Sequence, residues 1–345
     1  MEYISTRGEY GAKASEAILQ GIAKDGGLYV PLSFPVLTKA ELEYLIPLEY
    51  YERSAYILSK FLTDYDPEDL KTYTKKAYAR FDGDPAPVLK LDDETYVLEL
   101  FHGPTYAFKD IALTLLPHLL VGARKQLNVK EKTLILVATS GDTGKAALEG
   151  FKDVEGAEIV VIYPADGVSE MQKLQMQTAE GKNVHVIGIN GNFDDAQSTV
   201  KRIFGSEEAK ERFASMGYSL SSANSINWGR LVPQIVYYFS AYLDIVGTDE
   251  IKMGDKINFS VPTGNFGNIL AGYYAKRMGL PINKLIVASN QNNVLTDFFN
   301  KGEYNANREF YKTMSPSMDI LVSSNLERLL FELYDRDFER IVELM

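Results

Sequence analysis

Apolar segments with the length of β-strands alternate with helical segments from residue 95 to residue 289. The predicted strands are Thr95–Leu100, Thr133–Thr139, Glu158–Tyr163, Val184–Ile189, Lys256–Val261 and Leu285–Ser289. The predicted helices are Lys109–Leu127 (which Pro117 should kink or break), Gly144–Phe151, Ser169–Gln177, Asp194–Ile203, Leu231–Leu243 and Ile269–Met278. Continuous apolar strands between helices are typical of a parallel sheet that is covered on both faces. The sequence therefore predicts an α/β fold.

The residues before this alternation follow a different pattern. Glu41–Phe61 and Pro67–Tyr78 are predicted to form short helices, and Pro67 suits the first turn of the second. The segment Phe81–Pro87 contains two prolines, one glycine and two aspartates, which makes it the strongest boundary signal in the chain. We therefore expect a helical N-terminal region that ends near residue 85.

Composition excludes several kinds of chemistry. The 345 residues include no cysteine, which rules out thiol catalysis, cysteine-bound zinc and iron–sulfur clusters. The three histidines lack the spacing of metal ligands, so we expect no metal site. The net charge of −11 argues against nucleic acid as a partner. A polar N-terminus without an apolar core, and the lack of any apolar run of about 18 residues, predict a cytoplasmic protein without a membrane span.

Common nucleotide and hydrolase signatures fail in this sequence. Gly144-Lys145 resembles the end of a P-loop, but Thr139 stands where the loop needs glycine and Ala146 where it needs Ser or Thr. The sequence contains neither the dinucleotide fingerprint G-x-G-x-x-G nor the nucleophile elbow G-x-S-x-G.

Two glycine-rich loops each follow a predicted strand and precede a helix, which is where α/β sheets bind ligands. The first, Ser140–Gly144, offers hydroxyl groups and the N–H groups of a helix start, which favour an anion. Its alternative is an ordinary turn with Asp142 as the helix cap. The second, residues 263–268 (TGNFGN), has two glycines three positions apart, which suits positive φ angles and a nest for a phosphate group. Its alternative is a tight turn with Asn268 as the cap.

Lys109 stands at the start of an apolar helix. The flanking Phe108 and Ile111 would desolvate its amine, lower its pKa and make it a nucleophile. In isolation, a lysine beside Asp110 is more often part of a solvated ion pair. Together with a phosphate loop and an anion loop, and without a metal or redox motif, Lys109 favours pyridoxal 5′-phosphate as the cofactor.

Six regions of the sequence also match one known family. They are Tyr3–Gly8 with Asp25–Pro31, Glu99–Asp110, Ala138–Leu148, Gln175–Gln197, Ser222–Tyr238 and Val261–Pro281. In this order they resemble the threonine synthase family of pyridoxal-phosphate enzymes. The phosphate loop alone would indicate only the broader tryptophan-synthase-β-like fold, whereas FHGPT-x-AFKD and NSINW point to threonine synthases in particular.

The resemblance implies a domain organisation. The fold would be the pyridoxal-phosphate fold type II, with two parallel or mixed-sheet lobes and a small helical N-terminal domain. We expect the N-terminal domain at residues 1–85, the large cofactor lobe at 86–130 and 223–345, and a small mobile lobe at 131–222. Members of the family usually extend further than this chain. Because Asn325–Met345 ends within a helical pattern, we expect the large lobe to be incomplete at its C-terminus.

The resemblance also implies roles for individual residues. Lys109 corresponds to the lysine that forms the Schiff base and later acts as acid and base. The residues expected at the cofactor phosphate are Gly264, Asn265, Phe266, Gly267 and Asn268. Those expected at the substrate carboxylate are Ser140, Gly141, Asp142, Thr143 and Gly144. Other substrate groups are expected at Asn224, Ser225, Asn227 and Arg230. Arg230 is the candidate for the substrate phosphate, with a structural salt bridge as its alternative.

The implied reaction converts O-phospho-L-homoserine and water to L-threonine and phosphate by γ-elimination and β-hydration. We expect the small lobe to close over the substrate, because water must stay out until phosphate has left. Two alternatives stay open at this point. One is another lyase of the same fold, such as a threonine dehydratase or a phosphohomoserine lyase. The other is a fragment that binds the cofactor without turnover. The sequence leaves a monomer and a homodimer equally open.

Overall fold

The N-terminal region of the computed structural model, which describes residues 1–139, 141–191 and 193–345, combines three strands with four helices. They are β1 (Glu2–Ser5), β2 (Gly8–Lys13), α1 (Ala14–Gln20), β3 (Tyr29–Pro31), α2 (Lys39–Leu45), α3 (Tyr50–Phe61) and α4 (Pro67–Tyr78). The strands pair antiparallel in the order β2-β1-β3. The helical N-terminal region thus also carries a small sheet. Its strands have only three to six residues, too few for a clear alternating pattern.

Helix α4 shows how the local sequence determines where a helix starts. The side chain of Asp66 accepts hydrogen bonds from the backbone N–H groups of Glu68 and Asp69. Pro67 occupies the first helical position, where its missing N–H leaves no bond unmade. The predicted start of this helix is confirmed.

The next segment contains a short hairpin and two helices. They are β4 (Val88–Lys90), β5 (Tyr96–Leu98), α5 (Asp110–Leu113) and α6 (Leu116–Gln126). The helix that the sequence predicts over Lys109–Leu127 is therefore broken, at Thr114 and Leu115. Pro117 lies in the first turn of α6, where a proline disrupts no helical hydrogen bond.

A four-stranded parallel sheet follows, in the order β8-β7-β6-β9. Its elements are β6 (Lys132–Ala138), α7 (Asp142–Phe151), β7 (Ala157–Pro164), α8 (Glu170–Gln177), β8 (Val184–Ile189), α9 (Phe193–Gly205), α10 (Glu207–Ser215) and β9 (Tyr218–Ser221). Successive residues of β6 face opposite sides of the sheet. Ile135 and Val137 belong to the main core with residues of α7, whereas Leu134 and Leu136 belong to a second core with residues of α9. The expected parallel sheet covered on both faces is confirmed.

The remaining elements surround one long buried helix. They are α11 (Trp228–Gly247), β10 (Ile257–Pro262), α12 (Gly267–Arg277), β11 (Ile282–Ala288), α13 (Val294–Lys301), a 3₁₀ turn (Pro316–Met318), α14 (Leu326–Leu333) and α15 (Phe338–Leu344). Strands β10 and β11 pair in parallel. Trp228, at the start of α11, is fully buried and meets the rings of Tyr3 and Phe61 edge-on, so it ties the N-terminal region to this core. Within the residues described, none of the helices has both the length and the apolar character that crossing a membrane requires.

Candidate active site

A cavity of about 1530 Å³ lies where the ends of β6 and β10 meet the starts of α7, α11 and α12. The predicted site residues that line it are Lys109, Thr143, Asn224, Ser225, Arg230, Gly264, Asn265, Gly267 and Asn268. The cavity wall does not include Gly141, Asp142, Gly144, Asn227 or Phe266. Ser140 lies outside the described residues. The structure thus brings both predicted loops and the predicted lysine to one cavity.

Lys109 is buried, with 7% of its surface exposed, and lies immediately before α5. Its Nζ is 2.6 Å from Oδ1 of Asp142 and 5.6 Å from the centre of the Phe108 ring. Burial lowers the pKa of the amine; Asp142 opposes this shift and the positive charge of Arg230 adds to it. The direction is the one that the flanking apolar residues predict. A lowered pKa raises the fraction of neutral, nucleophilic amine.

Asp142 has three hydrogen-bond partners. Its Oδ1 accepts from Lys109 and from the backbone N–H of Thr143, and its Oδ2 accepts from the hydroxyl of Ser317. Burial alone would raise the pKa of this carboxyl, but its partners, Lys109 foremost, hold it below the usual value. Asp142 is the first residue of α7 and Gly141 is the cap, so the alternative of Asp142 as an ordinary helix cap is wrong.

The loop that follows β6 is stabilised by its own side chains. Oγ1 of Thr139 accepts hydrogen bonds from the N–H groups of Gly141 and Gly144, each at 3.0 Å. The N–H of Thr143 is bonded to Asp142. A Cβ at Gly144 would come within 2.6 Å of Cγ2 of Thr139, so this position requires glycine. Three N–H groups of the loop expected at an anion, those of Gly141, Thr143 and Gly144, are therefore already paired.

The loop that follows β10 has the opposite character. In the described part of the chain, no acceptor takes the backbone N–H groups of residues 264–268. Two of its carbonyl groups accept hydrogen bonds from residues of the C-terminal segment. Ser323 donates to the carbonyl of Gly264, and Asn325 donates twice to that of Asn265. The loop therefore leaves N–H groups without a described acceptor beside the cavity, at the N-terminus of α12, where the helix dipole favours an anion.

Two expectations for this second loop need correction. The residue with positive φ is Phe266 (67°), not either glycine; its ring is buried and stacks on Phe299. At Gly264 a Cβ would lie 3.0 Å from Cγ1 of Ile320, so a larger residue there would have to push the Ile320 side chain aside. Asn268 is not the helix cap, because α12 begins at Gly267 and Phe266 occupies the cap position.

Three of the expected substrate-side residues can reach a ligand. Asn224 and Ser225 line the cavity, and the buried Oδ1 of Asn224 has no partner among the described residues. Arg230 is buried, and its Nε has no partner within the same described set. Burial lowers the pKa of Arg230 to about 10, against the opposing effect of Asp142 and Asp110. Arg230 forms no ion pair with any described residue, so the alternative of a structural salt bridge is not supported.

Asn227 does not face the cavity, and its expected place beside the substrate needs correction. Its side chain is fully buried and caps α11, accepting from the N–H of Gly229. Its Nδ2 donates to the carbonyl groups of Ile18 and Ser222. Both N–H donors of the amide are thus taken and its oxygen is engaged at the helix start, away from the residues that line the cavity.

The polar residues that the C-terminal segment contributes to the site are not among those predicted from the sequence. Ser317 reaches Asp142, and Ser323 and Asn325 hold the loop after β10. The run Ser323-Ser324-Asn325 before α14 was a local signal of polar side chains. Its contact with residues about 60 positions earlier is long-range, however, and periodicity does not reveal such contacts.

The groups around the cavity fit pyridoxal phosphate. A buried amine with a lowered pKa can react with an aldehyde, and unpaired N–H groups at a helix start can hold a phosphate. The orphaned polar atoms of Asn224 and Arg230 need further polar partners, which a cofactor or a substrate would supply. The described residues include no cluster of three or more His, Asp or Glu side chains that could hold a metal ion.

This chain is similar to proteins of known sequence and structure. A threonine synthase from Pseudomonas aeruginosa is 44% identical over 348 residues, which cover 100% of this chain and 71% of that protein. A human threonine synthase-like protein is also 44% identical, over 96% of this chain and 46% of its own length. The crystal structure of pyridoxal-phosphate-bound threonine synthase from Brucella melitensis superposes with a TM-score of 0.90 at 43% identity, over 100% of this chain and 72% of that one. The yeast threonine synthase structure gives 0.87 at 36% identity, over 99% and 70%.

A family model described as "Pyridoxal-phosphate dependent enzyme" matches residues 84–344. The fold and the site therefore define a pyridoxal-phosphate-dependent enzyme of fold type II. A second model, "Threonine synthase N terminus", matches residues 2–78. The chain belongs to the threonine synthase family, and its cofactor is pyridoxal phosphate.

Proposed function

We propose that this chain catalyses the threonine synthase reaction, from O-phospho-L-homoserine and water to L-threonine and phosphate. The observation that carries the proposal is the meeting of three groups in one cavity. They are the buried amine of Lys109, the unpaired N–H groups at the start of α12 and the buried guanidinium of Arg230. The first two suit the cofactor, and the third suits a second phosphate on the substrate.

Lys109 is the cofactor-binding and proton-transferring residue in this proposal. When bound, pyridoxal phosphate supplies an electron sink for negative charge that develops beside the substrate nitrogen. Lys109 then takes and returns protons at Cα and Cβ of the substrate through its Nζ. Burial supports this role, since it lowers the pKa of the amine towards the range where a base works near neutral pH.

The two phosphate groups have separate places. Residues 264–268 hold the cofactor phosphate through their backbone N–H groups, at the positive end of α12. Arg230 binds the substrate phosphate, with Asn224 and Ser225 beside it along the cavity wall. The planar guanidinium can donate two parallel hydrogen bonds to a phosphate, and its Nε lacks a partner among the described residues.

The loop at residues 140–144 takes the substrate carboxylate after a rearrangement. The N–H groups of Gly141, Thr143 and Gly144 are engaged with Thr139 and Asp142, so these bonds must open or shift before the three groups can hold an anion. We propose that this happens when a small lobe, residues 131–222, closes against a large lobe made of residues 86–130 and 223–345. The proposed boundary near residue 85 lies close to where the two family models meet. A cytoplasmic location and the choice between monomer and homodimer stay predictions.

The proposal is tested by comparing the wild type with Lys109→Ala and Lys109→Arg. Titration with pyridoxal phosphate should give a visible absorption band in the wild type and in neither variant. O-phospho-L-homoserine should yield threonine and phosphate, with a kcat at least about 10³-fold lower in both variants. Arginine keeps the positive charge but cannot act as the nucleophile, so it separates charge from chemistry. Formation of 2-oxobutyrate in place of threonine would identify a dehydratase instead.

A further inference from the structure

The charge of Asp142 is unexpected for the place that it occupies. Residues 140–144 form the loop proposed for a substrate carboxylate, and a second carboxylate in that loop would repel the substrate. Binding an anion therefore does not explain why this position is acidic. The contacts of Asp142 show what its charge does in this structure.

Asp142 connects three segments that lie far apart in the chain. Its Oδ1 is 2.6 Å from Nζ of Lys109, which precedes α5. Its Oδ2 accepts from the hydroxyl of Ser317, in the 3₁₀ turn before α14. Asp142 itself begins α7, on the four-stranded sheet. One carboxylate therefore joins the lysine, the loop after β6 and the C-terminal segment.

The turn that carries Ser317 is firmly anchored. The buried Asp319 accepts hydrogen bonds from the side chains of Asn290 and Asn292 and from the backbone N–H of Thr313. Asn290 and Asn292 follow β11, so this network fixes the turn to the parallel strand pair. Asp142 thus lies between a fixed hydroxyl on one side and a buried amine on the other.

We propose that Asp142 is a positioning residue for Lys109: it holds the ammonium group at the cavity wall and, through Ser317, ties the loop after β6 to the turn at Pro316–Met318. Its importance for catalysis rests on the proposed function, because it acts through Lys109. Any reaction that uses Lys109 as a nucleophile must first take Nζ out of this ion pair. Asp142 therefore determines the geometry and the proton affinity of the reacting nitrogen.

Few other charges face Lys109. Arg230 is the cation that acts on it, and it favours loss of the ammonium proton. The adjacent Asp110 is turned to Thr105, which donates to both of its oxygens through the hydroxyl and the N–H. Asp142 is thus the carboxylate that pairs directly with Lys109, and its loss should not be masked by another acid.

The experiment measures the reactivity of Lys109 in the cofactor-free full chain. Acetic anhydride modifies neutral amines, and peptide mass spectrometry reports the acetylated fraction of Lys109 at each pH. The midpoint is the pH at which acetylation of Lys109 is half-maximal. In Asp142→Asn this midpoint should fall by about 1–3 pH units, because an opposite charge at this distance stabilises the ammonium by that amount. Ser317→Ala should shift this pH the same way by less, since the carboxylate then loses the bond that holds it in place and can turn away from Nζ of Lys109. Asp166→Asn, an exposed site, should leave it unchanged.

An unchanged or raised midpoint in Asp142→Asn would overturn the proposal, provided that circular dichroism shows a folded chain. If that variant does not fold, Ser317→Ala decides in the same way. Because no cofactor is present, failure here is distinct from failure of the proposed function. Suppose that Asp142→Asn shifts the midpoint but the wild type shows no visible band when pyridoxal phosphate is added. The ion pair between Asp142 and Lys109 would then be confirmed, and the cofactor role of Lys109 would be refuted.

Discussion

The loop after β6 (Thr139 and residues 141–144) and the loop at residues 263–268 occupy equivalent places, each between a parallel strand and a helix, yet their hydrogen bonds differ. In the first, Thr139 and Asp142 take the N–H groups of Gly141, Thr143 and Gly144. In the second, no described residue takes the N–H groups of 264–268, and outer residues hold the carbonyl groups instead. One loop is ready for an anion, whereas the other must first give up bonds that it makes to itself.

The difference suits two ligands with different residence times. A cofactor that stays bound through every cycle gains from a preformed cradle, because little order has to be created on binding. A substrate that enters and leaves gains from a loop whose contacts change on closure, since closure can then depend on the substrate. The number of glycines in each loop does not reveal this division; the side chain that precedes the loop and the residues behind it do.

The largest expected effect comes from a negative charge placed in the loop at residues 263–268, whose N–H groups are already free for an anion. Gly267→Asp puts a carboxylate at the proposed phosphate site, where repulsion between unit charges about 4 Å apart is about 4 kcal/mol. Affinity for pyridoxal phosphate, measured by absorbance titration, should fall at least about 10²-fold. Gly267→Asn is the matched control, since it has the same shape without the charge. Both side chains would need Asn325 to give slightly, because a Cβ at Gly267 lies 3.3 Å from its Nδ2. An equal loss of pyridoxal-phosphate affinity in the two variants would show that the added charge does not meet the phosphate, and would contradict this site for it.

A smaller effect should come from the self-paired loop. Thr139→Val keeps the shape of the side chain but removes the oxygen that accepts from Gly141 and Gly144. Loss of that buried acceptor should reduce the free energy of unfolding of the cofactor-free chain by about 1–3 kcal/mol in urea. The KM for O-phospho-L-homoserine should fall, because the loop no longer has to give up these two bonds before it holds the substrate. Affinity for pyridoxal phosphate should stay within about twofold of the wild type, and Thr139→Ser should restore both the stability and the KM. An equal loss of cofactor affinity would show that the two loops are not independent.

The sequence predicted most of the secondary structure because local rules determine it. All six expected strands are present, and α4 begins where Asp66 and Pro67 predict. The helix after Lys109 breaks near Pro117, as expected. The short strands β1 to β4 and β9 are not predicted, because their few residues alternate too little. The pairing of β1 to β3 also joins segments that are up to about 30 residues apart.

The candidate site was predicted less completely, and the errors share a cause. Residues were assigned to ligands by type, but their partners come from distant parts of the chain. Asn227 carries an amide suited to a substrate, yet Ile18 and Ser222 take its donors. Asp142 belonged to an anion loop by position, yet it pairs with Lys109 and Ser317. Periodicity and motif spacing contain no information on such pairs, which form only when the whole chain is folded.

The most direct test of the account compares the two loops within one sample. Amide resonances of the isotope-labelled, cofactor-free chain would be followed by NMR during titration with pyridoxine 5′-phosphate, which carries the phosphate but no aldehyde, and separately with pyridoxine. We predict that the phosphate ester shifts the amides of residues 264–268 and leaves those of Gly141, Thr143 and Gly144 in place, while pyridoxine shifts neither group. Larger shifts at Gly141, Thr143 and Gly144 than at residues 264–268, or the same response to both compounds, would contradict it.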